Sequence, residues 1–375
     1  VKVKILLLMS VLLGLANHSQ AQWTKQTFPN ANNIWMRLNW AGTPYFDFRI
    51  SCGGTIGDFR DANRSSEALL SPPPVSGNLT DRIIQWVWWS DAITWNANRY
   101  NTNQGGNYNG AFSPTYRYVT VNSGVVDVYS SPQDQWQPTV APHLYSKICC
   151  MTRYELMTDT GCLKIRRISR VPAVSTDFGA YYTTWSQLYD EAWTPFNYPG
   201  FTAMAMAVDS NCNPTWWYRG GTSGNIPRYP HWDVNSTMGY AMVYNESNPN
   251  GHSAVGLVFG TKEPVILAPG VSTTYVYNCQ SWNNGIGCQP GLTAYNIQEG
   301  SIIDQVLYIV PRPGRNASLA SAMSSLAASC EAPVIYPPGY AFTGEMATIV
   351  ANINALYSRG DGVRTQNLDT LAAWQ

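Results

Sequence analysis

The chain is short of charge. Only 12% of its 375 residues are Asp, Glu, Lys or Arg, with 23 basic against 23 acidic. Nucleic-acid and anionic-membrane binders need a basic excess, so those partner classes are excluded. Histidine is scarce too, four in all. There is no C-x-x-C and no close Cys/His cluster, so neither a metal centre nor a cofactor is expected. After residue 21 no run is long and apolar enough to span a bilayer, which takes about 20 residues. Residues 23–310 show no strand–helix alternation, which disfavours Rossmann and TIM-type folds. No repeat of fixed period appears.

What is present begins with a leader. Lys2 and Lys4 make a positive n-region, and Ile5 to Ala16 is an uncharged, leucine-rich run of 12 residues. Ser19-Gln20-Ala21 places small residues where a signal peptidase reads, so residues 1–21 are read as a signal peptide cleaved before Gln22. The expected location is secreted, periplasmic or cell-surface. Losing Lys2 and Lys4 leaves 21 basic against 23 acidic residues, a net charge of −2.

All eight cysteines follow the leader, and an even count in an exported chain suggests disulfides. Cys279 and Cys288 are the best local pair, because Asn283-Asn284-Gly285 can turn the chain between them. Cys150 with Cys162 is awkward: the turn at Thr158-Asp159-Thr160-Gly161 sets Cys162 opposite Met157. The other pairings stay open.

Most of residues 22–314 reads as strands and turns. Ile83 to Trp89 is a near-continuous apolar run, as in a strand buried on both faces. Tyr116–Val121 and Val125–Tyr129 flank a hairpin signal at Asn122-Ser123-Gly124. Arg153–Met157, Cys162–Ile168, Phe201–Val208, Met238–Tyr244, Ala254–Phe259, Thr273–Asn278 and Ile302–Val310 follow, each bounded by turn residues or Pro. The expected fold is mainly β, a large antiparallel β-sandwich. Residues 315–375 change character. Ser318–Ser329 reads as a helix and Pro333–Pro338 as a linker. Met346, Ile349, Val350, Ile353, Leu356 and Tyr357 then recur at helical spacing, with Gly360 as a stop. This helical tail either packs on the sandwich or begins a further helical domain.

The chain is rich in aromatics, with 15 Trp and 23 Tyr. Flat aromatic faces stack on sugar rings, and neutral amides bond hydroxyls. The competing reading is that the aromatics fill a wide sheet-on-sheet core, and Trp88-Trp89 is assigned there.

Two motifs carry a resemblance. Asp81-Arg82-Ile83-Ile84-Gln85 is followed by Asn101-Thr102-Asn103-Gln104-Gly105-Gly106. Later, Leu267-Ala268-Pro269-Gly270-Val271-Ser272-Thr273-Thr274-Tyr275-Val276-Tyr277 forms a turn and strand. Together they resemble the galactose-mutarotase-like "supersandwich" domains of carbohydrate-active proteins, over roughly residues 40–310. The resemblance implies that fold, and activity as an epimerase, a glycosidase accessory domain or a polysaccharide lyase. Epimerases of this family use a His pair and a carboxylate as acid and base. His143, His231 and His252 do not match that context, which argues against mutarotase activity.

Carboxylates are the other route. Glycosidases use two, about 5–10 Å apart. Glu191, beside Asp190, and Asp233, near His231, both lie among aromatics. Glu191, Asp233 and His231 are therefore the candidate catalytic residues, against the plainer reading of solvated or capping groups. Trp216-Trp217-Tyr218-Arg219 and Tyr229-Pro230-His231-Trp232 form the densest aromatic stretches. Trp216, Trp217, Trp232, Arg219 and Gln104 are the candidate substrate-binding set. In a strand, Trp216 and Trp217 would face opposite sides; in a loop, one could lie open as a sugar platform. The sequence thus points to a secreted protein that binds, and hydrolyses or cleaves, a polysaccharide or oligosaccharide. The alternative is a non-catalytic carbohydrate-binding or self-assembling surface protein.

Overall fold

The computed structural model describes the strands and helices below with connecting residues 159–161, 171, 210–212, 239, 260, 263–264, 267–271, 297–301, 314–316, 330–333 and 337–343. Side chains are described for residues 125–129, 149–157, 159–171, 210–212, 239, 240, 242, 254, 256, 258, 260, 263–272, 297–312 and 314–358. The leader, Gln104 and residues 360–375 lie outside the described residues.

Three sheets account for the strands. The first is β1 (Gln22–Lys25), β2 (Ile34–Leu38), β3 (Phe46–Ile50) and β4 (Ile56–Asp61), in that order. The second has eleven strands. Its main path runs β14 (Pro214–Arg219), β13 (Ala203–Val208), β16 (Tyr240–Tyr244), β17 (Ala254–Val258), β21 (Ile302–Arg312), β11 (Cys162–Arg170), β10 (Cys149–Met157), β8 (Val125–Ser130) and β7 (Arg117–Asn122). Off that path, β22 (Val334–Tyr336) pairs antiparallel with β21 and parallel with β18 (Val265–Ile266). The third sheet has seven strands: β15 (His231–Asp233), β19 (Ser272–Trp282), β20 (Gly285–Tyr295), β12 (Trp185–Pro195), β5 (Val87–Trp95), β6 (Asn98–Asn101) and β9 (Gln133–Asp134).

The middle of the eleven-stranded sheet is closed on both sides. All eleven residues of β21 are buried, which is why Val306 to Pro311 run apolar without alternation. Two helices cover one face. Helix α1 (Ala317–Ser329) starts at Asn316, whose side chain accepts the Leu319 amide at 3.1 Å, an N-cap that satisfies a donor the helix cannot. It buries Leu319, Ala320, Met323 and Leu326 against Met242, Ala254, Val258, Val306, Tyr308 and Val310. The approach is close: a Cβ on Gly256 would collide with Met323, so the sheet needs a glycine there. Helix α2 (Gly344–Arg359) lays Ile349, Val350, Ile353 and Leu356 on Tyr129, Cys149, Met151, Ile168 and Ile302. Full burial of one such aliphatic side chain contributes about 1.5–3 kcal/mol.

Polar contacts fix α2 in place. Arg153 donates two bonds to Asp127, at 2.7 and 2.8 Å, and a third to Glu345 at the start of α2 at 2.8 Å. Arg166 grips Asp304 at 2.9 and 2.6 Å. Arg170 donates to Asn354 and lies 3.5 Å over the Tyr357 ring. At the other end of β21, the buried Arg312 guanidinium donates to the Thr160 and Gly161 carbonyls, which pins the β10–β11 turn. Burial lowers its pKa to about 10.

Several expectations change in detail. The segment expected as a linker at Pro333–Pro338 contains strand β22, because it pairs with the 302–304 stretch of β21 that β17 does not reach. The strand expected to close at Val310 runs through Pro311 to Arg312. Tyr189 to Pro195 and the Trp216-Trp217 stretch are strand. The turn after β10 does set Met157 opposite Cys162, and Cys150 opposite Ser169. Cys149, Cys150, Cys162, Cys212 and Cys330 are buried, and among the described residues no disulfide joins them. Among the described residues no helix is long and apolar enough to cross a membrane.

Candidate functional site

The seven-stranded sheet sorts its residues by face. In an antiparallel ladder, directly opposed residues share a face and neighbours along a strand alternate. His231 of β15 opposes Asn278 of β19, and Asp233 opposes Val276. Val276 opposes Gly291 of β20, and Asn278 opposes Gln289. Gly291 opposes Tyr189 of β12. The β12–β20 register is unchanged on either side of residue 191, from Tyr189↔Gly291 to Ala192↔Cys288, which sets Glu191 level with Gln289. One row across the sheet is therefore His231, Asn278, Gln289 and Glu191. The next row on the same face is Asp233, Val276, Gly291, Tyr189, then Trp89 of β5.

Every Asn and Gln of β12, β15, β19 and β20 falls on this face: Gln187, Asn278, Gln280 and Gln289. So do Trp193 and all three candidate catalytic residues. The opposite face carries Trp232, Tyr275, Tyr277, Cys279, Cys288, Leu292 and Leu188, with Asp190 its one carboxylate in these four strands. Such a split is what a sheet with one face on a core and one face open produces.

The site set does not stay together. Glu191, His231 and Asp233 share a face, while Trp232 belongs to the other side of the same sheet. Trp216, Trp217 and Arg219 lie on β14, the edge strand of the eleven-stranded sheet. Through β13, β16 and β17, register carries Trp217 to the face of Val310, which α1 covers. Arg219 shares that face, and Trp216 is on the other.

Sequence reasoning missed Asn278, Gln280, Gln289, Gln187 and Tyr189. Their signal was the period-two alternation within β12, β19 and β20, which shows nothing until the strands are set in register. It also missed Arg167, which lies with Thr152 and Gln305 in one row on the face of the eleven-stranded sheet away from the helices. Arg167 is 1% exposed and donates to the Cys150 sulfur at 3.5 Å. Elsewhere, burial raises the Cys162 thiol to about 11, so it is not a nucleophile at neutral pH. No group of three His, Cys, Asp or Glu able to hold a metal occurs among the described residues.

No family model matches the chain, and no curated protein matches it. Solved structures that align with it at low identity include aldose 1-epimerase and galactose-mutarotase-like proteins and galactosidase domains. A protein assigned as an aldose 1-epimerase from Klebsiella pneumoniae is 10% identical, with a TM-score of 0.41, covering 86% of this chain and 91% of its own. A galactose mutarotase-like protein from Lactobacillus casei is 10% identical, with a TM-score of 0.40, covering 74% of this chain and 100% of its own. An α-galactosidase from Geobacillus stearothermophilus is 10% identical, with a TM-score of 0.37; the match covers 77% of this chain and 42% of the enzyme.

Proposed function

We propose that this is an exported carbohydrate-active protein, built as a sandwich of the two large sheets, that binds a polysaccharide or oligosaccharide across the amide-bearing face of β15, β19, β20 and β12. Removal of residues 1–21 delivers it outside the cytoplasm. In this reading the apolar face of the seven-stranded sheet would cover the helix-free face of the eleven-stranded one, where Val126, Val128, Tyr154, Leu163, Ile165, Leu307 and Ile309 are buried. Asn278 and Gln289 bond sugar hydroxyls, and Tyr189, Trp193 and Trp89 supply ring faces. The observation that carries the reading is the register that gathers every amide of four strands onto one face with Glu191, His231 and Asp233.

Hydrolysis or cleavage would fall to those three. His231 and Asp233, two residues apart on one strand, stand about 7 Å apart at Cα. Glu191 is three strand spacings from His231, about 14 Å at the backbone, wider than the roughly 5–9.5 Å between glycosidase carboxyl groups. That spacing favours glycan binding, with His231 and Asp233 as the closer acid–base pair. A glycan array with the mature protein, paired with a reducing-sugar assay, tests both parts. Binding without turnover would leave a carbohydrate-binding protein; neither on any glycan would sink the reading.

A second reading has its own support. Val265, Ile266, Leu267 and Tyr340 are exposed together beside the Tyr336–Tyr340–Phe342 aromatic cluster, at the β18 edge. An apolar sheet edge is a template for assembly. A self-assembling surface protein would sediment as an oligomer and become monomeric with Ile266→Lys.

A further inference from the structure

We propose that Cys279 and Cys288 close a disulfide across the β19–β20 hairpin, and that this bond holds the strand register on which the amide face depends. The two residues are opposed directly, Cys279↔Cys288, and the ladder runs unbroken from them to the pair Trp282↔Gly285. Only residues 283 and 284 separate that last pair. In a two-residue hairpin the pair flanking the loop is hydrogen-bonded, and the two pair types alternate along the ladder. Three steps back, Cys279↔Cys288 is thus a non-hydrogen-bonded pair. Such a pair sets Cα atoms about 4.5 Å apart and brings the side chains closest, within the roughly 4.4–6.8 Å that a disulfide spans.

Cys149, Cys150, Cys162, Cys212 and Cys330 are buried within the eleven-stranded sheet and at the end of α1. The hairpin cysteines neighbour amides of the proposed site along the chain: Cys279 lies between Asn278 and Gln280, and Gln289 follows Cys288. A slip of one residue between β19 and β20 would send one of those amides to the apolar side. A covalent tie at 279–288 forbids that slip from the opposite face.

The bond forms by exchange with an external protein disulfide, as in oxidative folding outside the cytoplasm. The Cys279 thiolate attacks that disulfide and releases one partner thiol; the Cys288 thiolate then attacks the mixed disulfide and releases the other. Two electrons and two protons pass to the partner, which ends as a dithiol. The presence of the bond in the cell rests on the export reading; its geometry does not.

Two samples separate those dependencies. The first is protein recovered from the exported fraction, and the second is reduced, purified protein equilibrated in glutathione buffer. Each is alkylated under denaturing conditions, then reduced and labelled with a second reagent. The stretch between Lys262 and Arg312 contains both hairpin cysteines and no other. The expected result in both samples is the second label on Cys279 and Cys288, and the first label on Cys149, Cys150, Cys162, Cys212 and Cys330. First label on the hairpin cysteines in the glutathione sample overturns the pairing. A bond in that sample but not in the exported one overturns the export reading alone. Paired Cys279→Ser and Cys288→Ser substitutions should speed amide exchange in β19 and β20 and leave β10 and β11 unchanged. Unchanged exchange in the hairpin would overturn the register-holding role.

Discussion

In the eleven-stranded sheet, described charged side chains pair across strands or to the segments that cover it: Arg153 with Asp127, Arg166 with Asp304, and Lys164 with Glu331 beyond α1. Its central strand is buried on both faces and its outer layer is two helices. In the seven-stranded sheet the amides, the imidazole and two carboxylates collect on one side without a row of opposite charges beside them. One sheet uses polarity to lock helices down, while the other gathers it by register on a single face, the one proposed to bind glycan. A scaffold must be closed and a binding surface must not be, so the difference in polar bookkeeping separates the two roles.

Three changes test that contrast, from the largest expected effect to the smallest. Ile353→Ala removes a fully buried α2 side chain and should cost about 2–5 kcal/mol in chemical denaturation. Glycan affinity of the folded fraction should stay the same; a matching loss of affinity would break the division of roles. Asn278→Ala with Gln289→Ala should do the reverse. Each lost hydrogen bond is worth about 0.5–1.5 kcal/mol, so calorimetric glycan affinity should fall about 5- to 140-fold together while the melting temperature holds.

Glu345→Gln is the smallest. Arg153 holds the Glu345 carboxyl below its ordinary value of 4.5, by hydrogen bonding first. A carboxylate whose pKa is depressed on folding stabilises above the unfolded value, and that contribution fades as pH falls through the folded one. The group is 65% exposed, so screening limits the effect to about 0.2–1 kcal/mol. Wild type and Glu345→Gln should differ in stability at neutral pH and converge in acid, and a gap that persists in acid would assign it to packing.

Local signals were legible where one strand or helix suffices. The α2 stripe Ile349, Val350, Ile353 and Leu356 faces the sheet as its spacing requires, and Pro269-Gly270 turns with Gly270 at φ +76°. The opposition of Met157 and Cys162 followed from turn length alone. Site assembly was less legible. Aromatic density drew Trp216, Trp217 and Arg219 into the site set, yet their strand belongs to the other sheet. Trp88 and Trp89, adjacent on β5, take opposite faces, and register puts Trp89 level with Tyr189.

By itself the sequence determined a neutral, aromatic-rich chain of mainly β-strands followed by two helices. Composition, turn residues and short-range periodicity encode those properties within windows of a few residues. Only the tertiary structure decided that His231, Asn278, Gln289 and Glu191 form one row. These residues come from four strands spread over 99 positions of chain, and the ladder hydrogen bonds that align them are made only when the strands pair.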